Sequence, residues 1–293
     1  HGRRLLQTRT TSYLYKHELR MILLPDHHSF PWFLQSHPYK KNFHTEIEYE
    51  EFINPIKQRF VDNTYTNYTL TDISYEINQG FRCKNSYDQI DLMTLGCSHT
   101  FGMGIPHEHT WGYQLTEKLQ LNVDNYCNLG FCGASQEQSM IIASSVIMRH
   151  KPKIVAVLAP HRERFMIMKE SSLPEGGPTG IFTLAPWSKD IKHILATLGR
   201  NPKKKIEHWF NWLGNNDSFT TAKTIMVKHI LGQMCLASGS KLLWLEMDAK
   251  LRQQTVYDTN HLHRARDLTH CDDYHQNIFA EKFIQILGNG GGY

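Results

Sequence analysis

From residue 88 to the C-terminus, short apolar runs of strand length alternate with longer stretches that carry helical periodicity. Residues 90–95 form an apolar run ending at Gly96, and residues 110–119 follow with helical spacing. Residues 123–129 read as a second strand closed by Gly130, residues 135–150 as an amphipathic helix, and residues 153–159 as a buried strand stopped by Pro160. A long helix is expected over 218–237, with Asp217 and Ser218 as cap candidates, then a strand over 241–246 and a closing helix over 272–287. Two-residue hairpins cannot join strands separated by helices. Such a rhythm calls for parallel strands linked by crossover helices on both faces of the sheet. The expected fold class is therefore α/β, a three-layer α/β/α parallel sheet over residues 86–293.

The segment before this pattern behaves differently. Pro25, Pro31, Pro38 and Pro55 interrupt any long element, so residues 1–85 are expected to form an N-terminal extension packed on the main domain. Residues 162–216 are also irregular and hold the turn-rich run Pro174-Glu175-Gly176-Gly177-Pro178. At 293 residues the chain can bury one large core. No internal repeat is visible, and the one low-complexity stretch is the short glycine run over 288–292.

Charge and cysteine usage narrow the function classes. The net charge of +4 is mild, and the basic clusters (residues 3–20, and Lys203, Lys204 and Lys205) lack interleaved aromatics, which points to solvated surface and away from nucleic acid. No apolar run reaches the roughly 18 residues of a membrane span. No apolar region follows Arg3-Arg4, so no secretory signal is expected in this sequence. Six cysteines are scattered without a CxxC pair, which fits free thiols in a cytoplasmic or otherwise reducing compartment. The sequence says nothing of oligomeric state.

Two short motifs carry candidate chemistry, both at positions where a parallel sheet binds ligands, beyond the carboxyl ends of its strands. The first is Gly96-Cys97-Ser98-His99-Thr100, directly after the first strand. A serine on a tight strand-to-helix turn presents its hydroxyl at the sheet edge, and its own N–H, at the head of a helical turn, points where an oxyanion would form. A Gly-Ser turn without chemistry has the same appearance. A phosphate-binding loop is a weaker rival, since no GxxxxGK[ST] pattern is present. The second motif is Asp267-Leu268-Thr269-His270. At this spacing a carboxylate can hold the imidazole Nδ1, leaving Nε2 to take a proton from a serine. The structural alternative is an aspartate cap beside a surface histidine.

Taken together, these blocks resemble the SGNH/GDSL hydrolase family, in particular its bacterial and phage-encoded esterase-like members, over residues 74–287. Gly96-Cys97-Ser98-His99-Thr100 resembles the first block, G-D-S-x-T. Asn128-Leu129-Gly130-Phe131-Cys132-Gly133-Ala134-Ser135 resembles the second, N-x-x-x-x-G-A. Asp267 to His270, continuing through His275 to Phe279-Ala280, resembles the fifth, D-x-x-H with its trailing helix, and Tyr75 to Arg82 is similar to an N-x-x-G-x-R entry with one residue fewer between Asn78 and Gly80. The resemblance implies a flavodoxin-like sheet and an acyl-enzyme route. In that route Ser98 is the nucleophile, His270 the base and Asp267 its orienting carboxylate, and the N–H groups of Ser98 and Gly133 are oxyanion donors. It implies no cofactor and no metal, and a substrate that is a small ester or an O-acylated carbohydrate.

Two departures from the family pattern shape the expectation. Cys97 stands where the first block has a non-catalytic Asp. After the third strand, where the family places an asparagine donor, this chain has Ala159-Pro160-His161-Arg162-Glu163-Arg164. His161, Arg162 or Arg164 is expected to stand in for that donor, and a surface basic loop is the alternative. A non-catalytic interaction or virion-associated protein on the same fold is the rival function. Three further clusters are read structurally: Cys97, Cys132 and Cys271 as buried thiols and not metal ligands, His107-Glu108-His109 as a polar loop, and Trp209-Phe210-Trp212 as core packing, with a substrate-side lid as the alternative.

Overall fold

The computed structural model describes residues 81–83, 87–102, 105–131, 133–169, 180–184, 204, 207–208, 211–212, 216–247, 249–255 and 272–290. In chain order the elements that build the sheet and its cover are β1 (Leu92–Gly96), α1 (Ser98–Phe101), α2 (Trp111–Lys118), β2 (Tyr126–Gly130), α3 (Gln136–His150) and β3 (Ile154–Ala159). They are followed by β4 (Phe165–Lys169), β5 (Gly180–Leu184), α4 (Asp217–Ser238), β6 (Lys241–Glu246), α5 (Ala249–Thr255) and α6 (Asp273–Gly288).

Four strands form a parallel sheet in the order β2-β1-β3-β6. Leu92 lies beside Tyr126 on one flank and Ile154 on the other, and Gly96 beside Gly130 and Leu158, so the three strands end level. Alternate residues separate the two cores. Met93, Leu95, Cys127, Leu129, Val155 and Val157 face Ile142, Ala143 and Ile147 of α3 and Val227 and Leu231 of α4. On the other face Leu92, Tyr126, Ala156 and Leu158 meet Trp111 and Leu115 of α2 and Phe279 and Phe283 of α6. Both faces are covered, as a parallel sheet requires. This is the expected three-layer α/β/α arrangement, and among the described residues no helix is long and apolar enough to cross a membrane.

Capping explains the main helix boundaries. Ser135 and Gln138 form a reciprocal capping box at the start of α3. Asn216, and not the expected Asp217 or Ser218, caps α4: its side chain accepts from Phe219 N, so the helix begins at Asp217 itself. The expected strand over 123–129 is shortened. Asn122 Oδ1 accepts from Asp124 N and turns residues Val123–Asn125 into a 3-10 helix before β2 starts at Tyr126. In the stretch expected to be irregular, β4 and β5 pair antiparallel, Phe165 opposite Leu184. The short helix α5 is a second element the periodicity did not signal. Of the aromatic cluster, Trp212 is 70% exposed and not core: Lys204, Glu207, His208 and Asn211, described around it, are exposed as well, while Trp209 and Phe210 lie outside the described residues. So does the Pro174–Pro178 turn run.

The expected extension is described only at its end. Phe81 and Arg82 are 1% and 2% exposed, packed into the sheet domain; Arg82 makes an isolated antiparallel bridge to Asn128 of β2.

Candidate active site

The chain leaves β1 and moves outward to β2, then crosses back to β3 on the opposite side of β1. The order reverses between β1 and β3, and the crevice at such a switch point is where open α/β sheets bind ligands. Ser98 is the first residue of α1, a one-turn helix at that crevice separated from β1 by Cys97 alone.

The turn is fixed from several sides. Cys97, in extended conformation, is 2% exposed and packed in the core, the orientation expected if Ser98 faces the other way. Cys97 O accepts from both Thr100 N and Phe101 N. Asn128 donates through Nδ2 to Thr100 O at 2.9 Å, while its Oδ1 accepts from Gly130 N at 2.9 Å. Gly130 allows α1 to sit directly on the end of β2: a Cβ there would stand 2.4 Å from Phe101 N and 2.7 Å from the Thr100 carbonyl carbon. Arg82 donates to Phe101 O, Gly102 O and Ile105 O at 3.1, 2.9 and 2.7 Å. Ser98 itself is 7% exposed.

The loop after β2 carries Gly133, the expected second donor. Its φ of +76° is a glycine conformation, and a Cβ there would meet nothing within 4 Å, so the residue borders open space. Arg164 Nη1 donates to Ala134 O at 3.2 Å, fixing the next peptide.

The loop after β3 separates the three candidates for the third donor. Arg162 is turned to α4, donating to Asp217 Oδ1 at 2.9 Å and Thr221 Oγ1 at 3.1 Å, with Glu163 3.6 Å from its Nε. Arg164 is committed to the Ala134 carbonyl. His161 lines a cavity of about 220 Å³ between the ends of β3 and β6 and the first turn of α3, along with Gln136, Pro160, Arg162, Glu246 and Arg252. Burial, with Arg164 and Arg252 nearby, pushes the His161 pKa down to about 3, so its imidazole is neutral at neutral pH. Glu163 Oε2, at 4.0 Å from Nδ1, does not offset this.

Asp267 and His270 lie outside the described residues; the helix that follows them does not. Asp272 caps α6, accepting from His275 N. Gln276 ties α6 to the serine turn, with Nε2 donating to His99 O at 3.1 Å and Oε1 accepting from Trp111 N at 2.9 Å. The His99 ring meets Phe279 edge-on with centroids 6.3 Å apart. A second pair has the D-x-x-H spacing: Asp272 Oδ1 lies 2.7 Å from His275 Nδ1, with side chains 1% and 0% exposed. Full burial makes it part of the helix start and keeps it from substrate.

The remaining clusters act structurally. His107 stacks on the Tyr126 ring at 5.3 Å, and burial, then the Arg82 charge, push its pKa down to about 4; His109 faces Asp273 at 3.6 Å. Among the described residues no group of three or more potential ligands could hold a metal; Cys132, His270 and Cys271 lie outside them. Arg82, Asn128 and Gln276 are positioning residues to which motif reading gave no role, Asn128 being visible there only as the first letter of the second block. Arg82 was visible only as the last letter of an entry pattern, and Gln276 bonds across 177 residues of sequence, where no local pattern reaches.

No known family profile and no curated protein matches this sequence. Among solved structures, one from Desulfitobacterium hafniense DCB-2, described as a lipolytic protein of the G-D-S-L family, aligns with 67% of this chain and 98% of its own at 12% identity and a TM-score of 0.32. The family 3 carbohydrate esterase of Clostridium thermocellum aligns with 70% of this chain and 100% of its own at 14% identity and a TM-score of 0.31. The fold assignment rests on this chain's own strand order and layers.

Proposed function

We propose that this chain is a serine-dependent ester hydrolase of the SGNH type. The observation that carries this reading is the placement of Ser98. It heads a turn braced on all sides at the sheet's switch point, and the first turn of α6 is tied to that turn through Gln276. Asp267 and His270 stand in the sequence immediately before that helix.

Ser98 Oγ attacks the ester carbonyl while His270 accepts its proton. The tetrahedral intermediate collapses to an acyl-serine, and the same proton passes to the leaving alcohol. Water, deprotonated by His270, then releases the acid. Asp267 orients the imidazole and stabilises its charged form. The Ser98 and Gly133 N–H groups hold the oxyanion, and His161 is the third donor, since both arginines of its loop are occupied elsewhere. A neutral imidazole N–H can supply that hydrogen bond. The small cavity that His161 lines, with polar walls in Gln136, Arg162, Glu246 and Arg252 and apolar ones in Ala159, Pro160 and Met247, suits a short acyl group or a single hydroxylated unit.

Labelling with a fluorophosphonate probe, followed by peptide mapping, tests the proposal. Modification is expected at Ser98 and is expected to vanish in Ser98→Ala. A folded wild-type protein that takes no label would sink the hydrolase reading and leave the non-catalytic one, which the missing asparagine after β3 favours.

A further inference from the structure

A pair of cysteines outside the site stands in disulfide-forming register. Arg82 and Asn128 are joined by an isolated antiparallel bridge, whose pairing puts Cys83, at the bend directly after Arg82, opposite Cys127, the residue before Asn128. Directly opposed residues in an antiparallel pair have Cα atoms about 4.5–5.5 Å apart and side chains on the same side. That lies inside the roughly 4.4–6.8 Å a disulfide spans. Both thiols are free, Cys83 half-buried and Cys127 buried.

We propose that Cys83 and Cys127 form a reversible disulfide, made by exchange with a small-molecule disulfide of the oxidised-glutathione class, which clamps the Arg82 segment onto β2. The Cys127 thiol lowers the pKa of half-buried Cys83 beside it, while the Cys83 thiol and burial raise that of Cys127. Cys83 is therefore the attacking thiolate. It displaces one thiolate from the oxidant and becomes a mixed disulfide. Cys127 then loses its proton and attacks the Cys83 sulfur, expelling the second thiolate. The protein gives up two protons and two electrons, and one small disulfide becomes two thiols. The consequence falls on the serine turn, because Arg82, next in sequence to Cys83, holds the carbonyls of Phe101, Gly102 and Ile105.

The full chain equilibrated in glutathione buffers of graded oxidation, then trapped with a thiol alkylator and digested without reductant, gives the test. The expected result is a Cys83–Cys127 linked peptide that dithiothreitol abolishes, with a thermal midpoint raised by roughly 5 °C in the oxidised form. Cys83→Ser and Cys127→Ala should each remove the linked peptide and the thermal gain. The proposal is overturned if oxidation leaves glutathione alone on Cys83, if the cysteines pair otherwise, or if the thermal gain survives in either variant. None of these outcomes depends on whether Ser98 is a nucleophile.

Discussion

The turn after β1 and the loop after β3 leave the sheet side by side, yet they are held in unlike ways. The first is fixed by backbone-directed hydrogen bonds from buried side chains: Asn128 and Arg82 grip its carbonyls, and Gly130 lets its backbone rest on the neighbouring strand. The second has buried side-chain bonds only at its two ends, from Gln136 to Pro160 O and from Lys223 to Arg164 O, and charged side chains at the rim between them. There Arg162 reaches Asp217, whose side chain is 88% exposed, whereas the Lys223–Glu137 pair behind the loop is largely buried. Buried bonds to backbone fix a position because leaving them unmade costs about 1–3 kcal/mol each. Exposed ion pairs contribute about 0–1 kcal/mol. The nucleophile's turn is thus held along its length by buried bonds, while the donor loop is pinned at Pro160 and Arg164 and adjustable between them.

The fixed side of this contrast is tested by adding one methyl group against the turn and one in the loop after β2, which borders open space. Gly130→Ala drives a Cβ to 2.4 Å from Phe101 N, where both sides are backbone and neither yields easily. It should cost about 3 kcal/mol and remove Ser98 labelling. Gly133→Ala meets open space and carries only the strain of a positive φ, about 1–2 kcal/mol. Thermal denaturation of the two variants decides the matter, and equal losses would show that the turn is no more tightly packed than the open loop after β2.

What the sequence made legible follows the same division. Residues 90–96, 153–159 and 241–246 announced themselves as strands because both faces are covered, which leaves continuous apolar runs. Gly96-Cys97-Ser98 was readable because a strand-to-helix turn is a local event. Val123 was drawn into the wrong element because its side chain suits a strand, while Asn122 bonds back to the backbone and wins. The β4–β5 hairpin was missed because its strands do not alternate apolar and polar residues and are joined across 10 residues of sequence. Sequence alone could not rank His161, Arg162 and Arg164. Their order depends on Asp217 and Ala134, partners 55 and 30 residues away.

That ranking yields an effect of intermediate size. His161→Ala should lower kcat about 10²–10³-fold with little change in KM, the loss expected when a donor to the transition state is removed. Arg162→Ala should leave kcat nearly unchanged, because its guanidinium serves α4, with any effect confined to KM through the cavity wall. Steady-state kinetics on a short acyl ester with the two variants would reverse the assignment if Arg162→Ala proved the damaged one.

The smallest effect is in acid, and it compares the two regions through one histidine in each. His107 packs on Tyr126 behind the rigid turn, with its pKa pushed down to about 4, and His161 lies in the adjustable loop, pushed down to about 3. Both values lie below the ~6.5 of an unfolded histidine. Between pH 6.5 and these folded values the unfolded chain binds protons that the folded chain refuses. Stability should therefore fall as pH drops through this window, and should not depend on either group above about pH 7. Urea midpoints at pH 7, 6 and 5 lie above the carboxylate range and isolate the effect, at most about 1.4 kcal/mol per histidine for each unit of pH. Replacing either histidine by glutamine should flatten the slope. The pKa values alone rank His161 as the larger contributor. The packing argues the reverse, because His161 lines a cavity whose other walls include exposed Glu246 and half-exposed Arg162. A shift of that loop can hydrate the imidazolium, whereas His107 cannot leave its ring stack without disturbing β2. His107→Gln should consequently relieve more of the acid loss than His161→Gln. If His161→Gln gives the greater relief, the loop after β3 is as firmly held as the turn after β1.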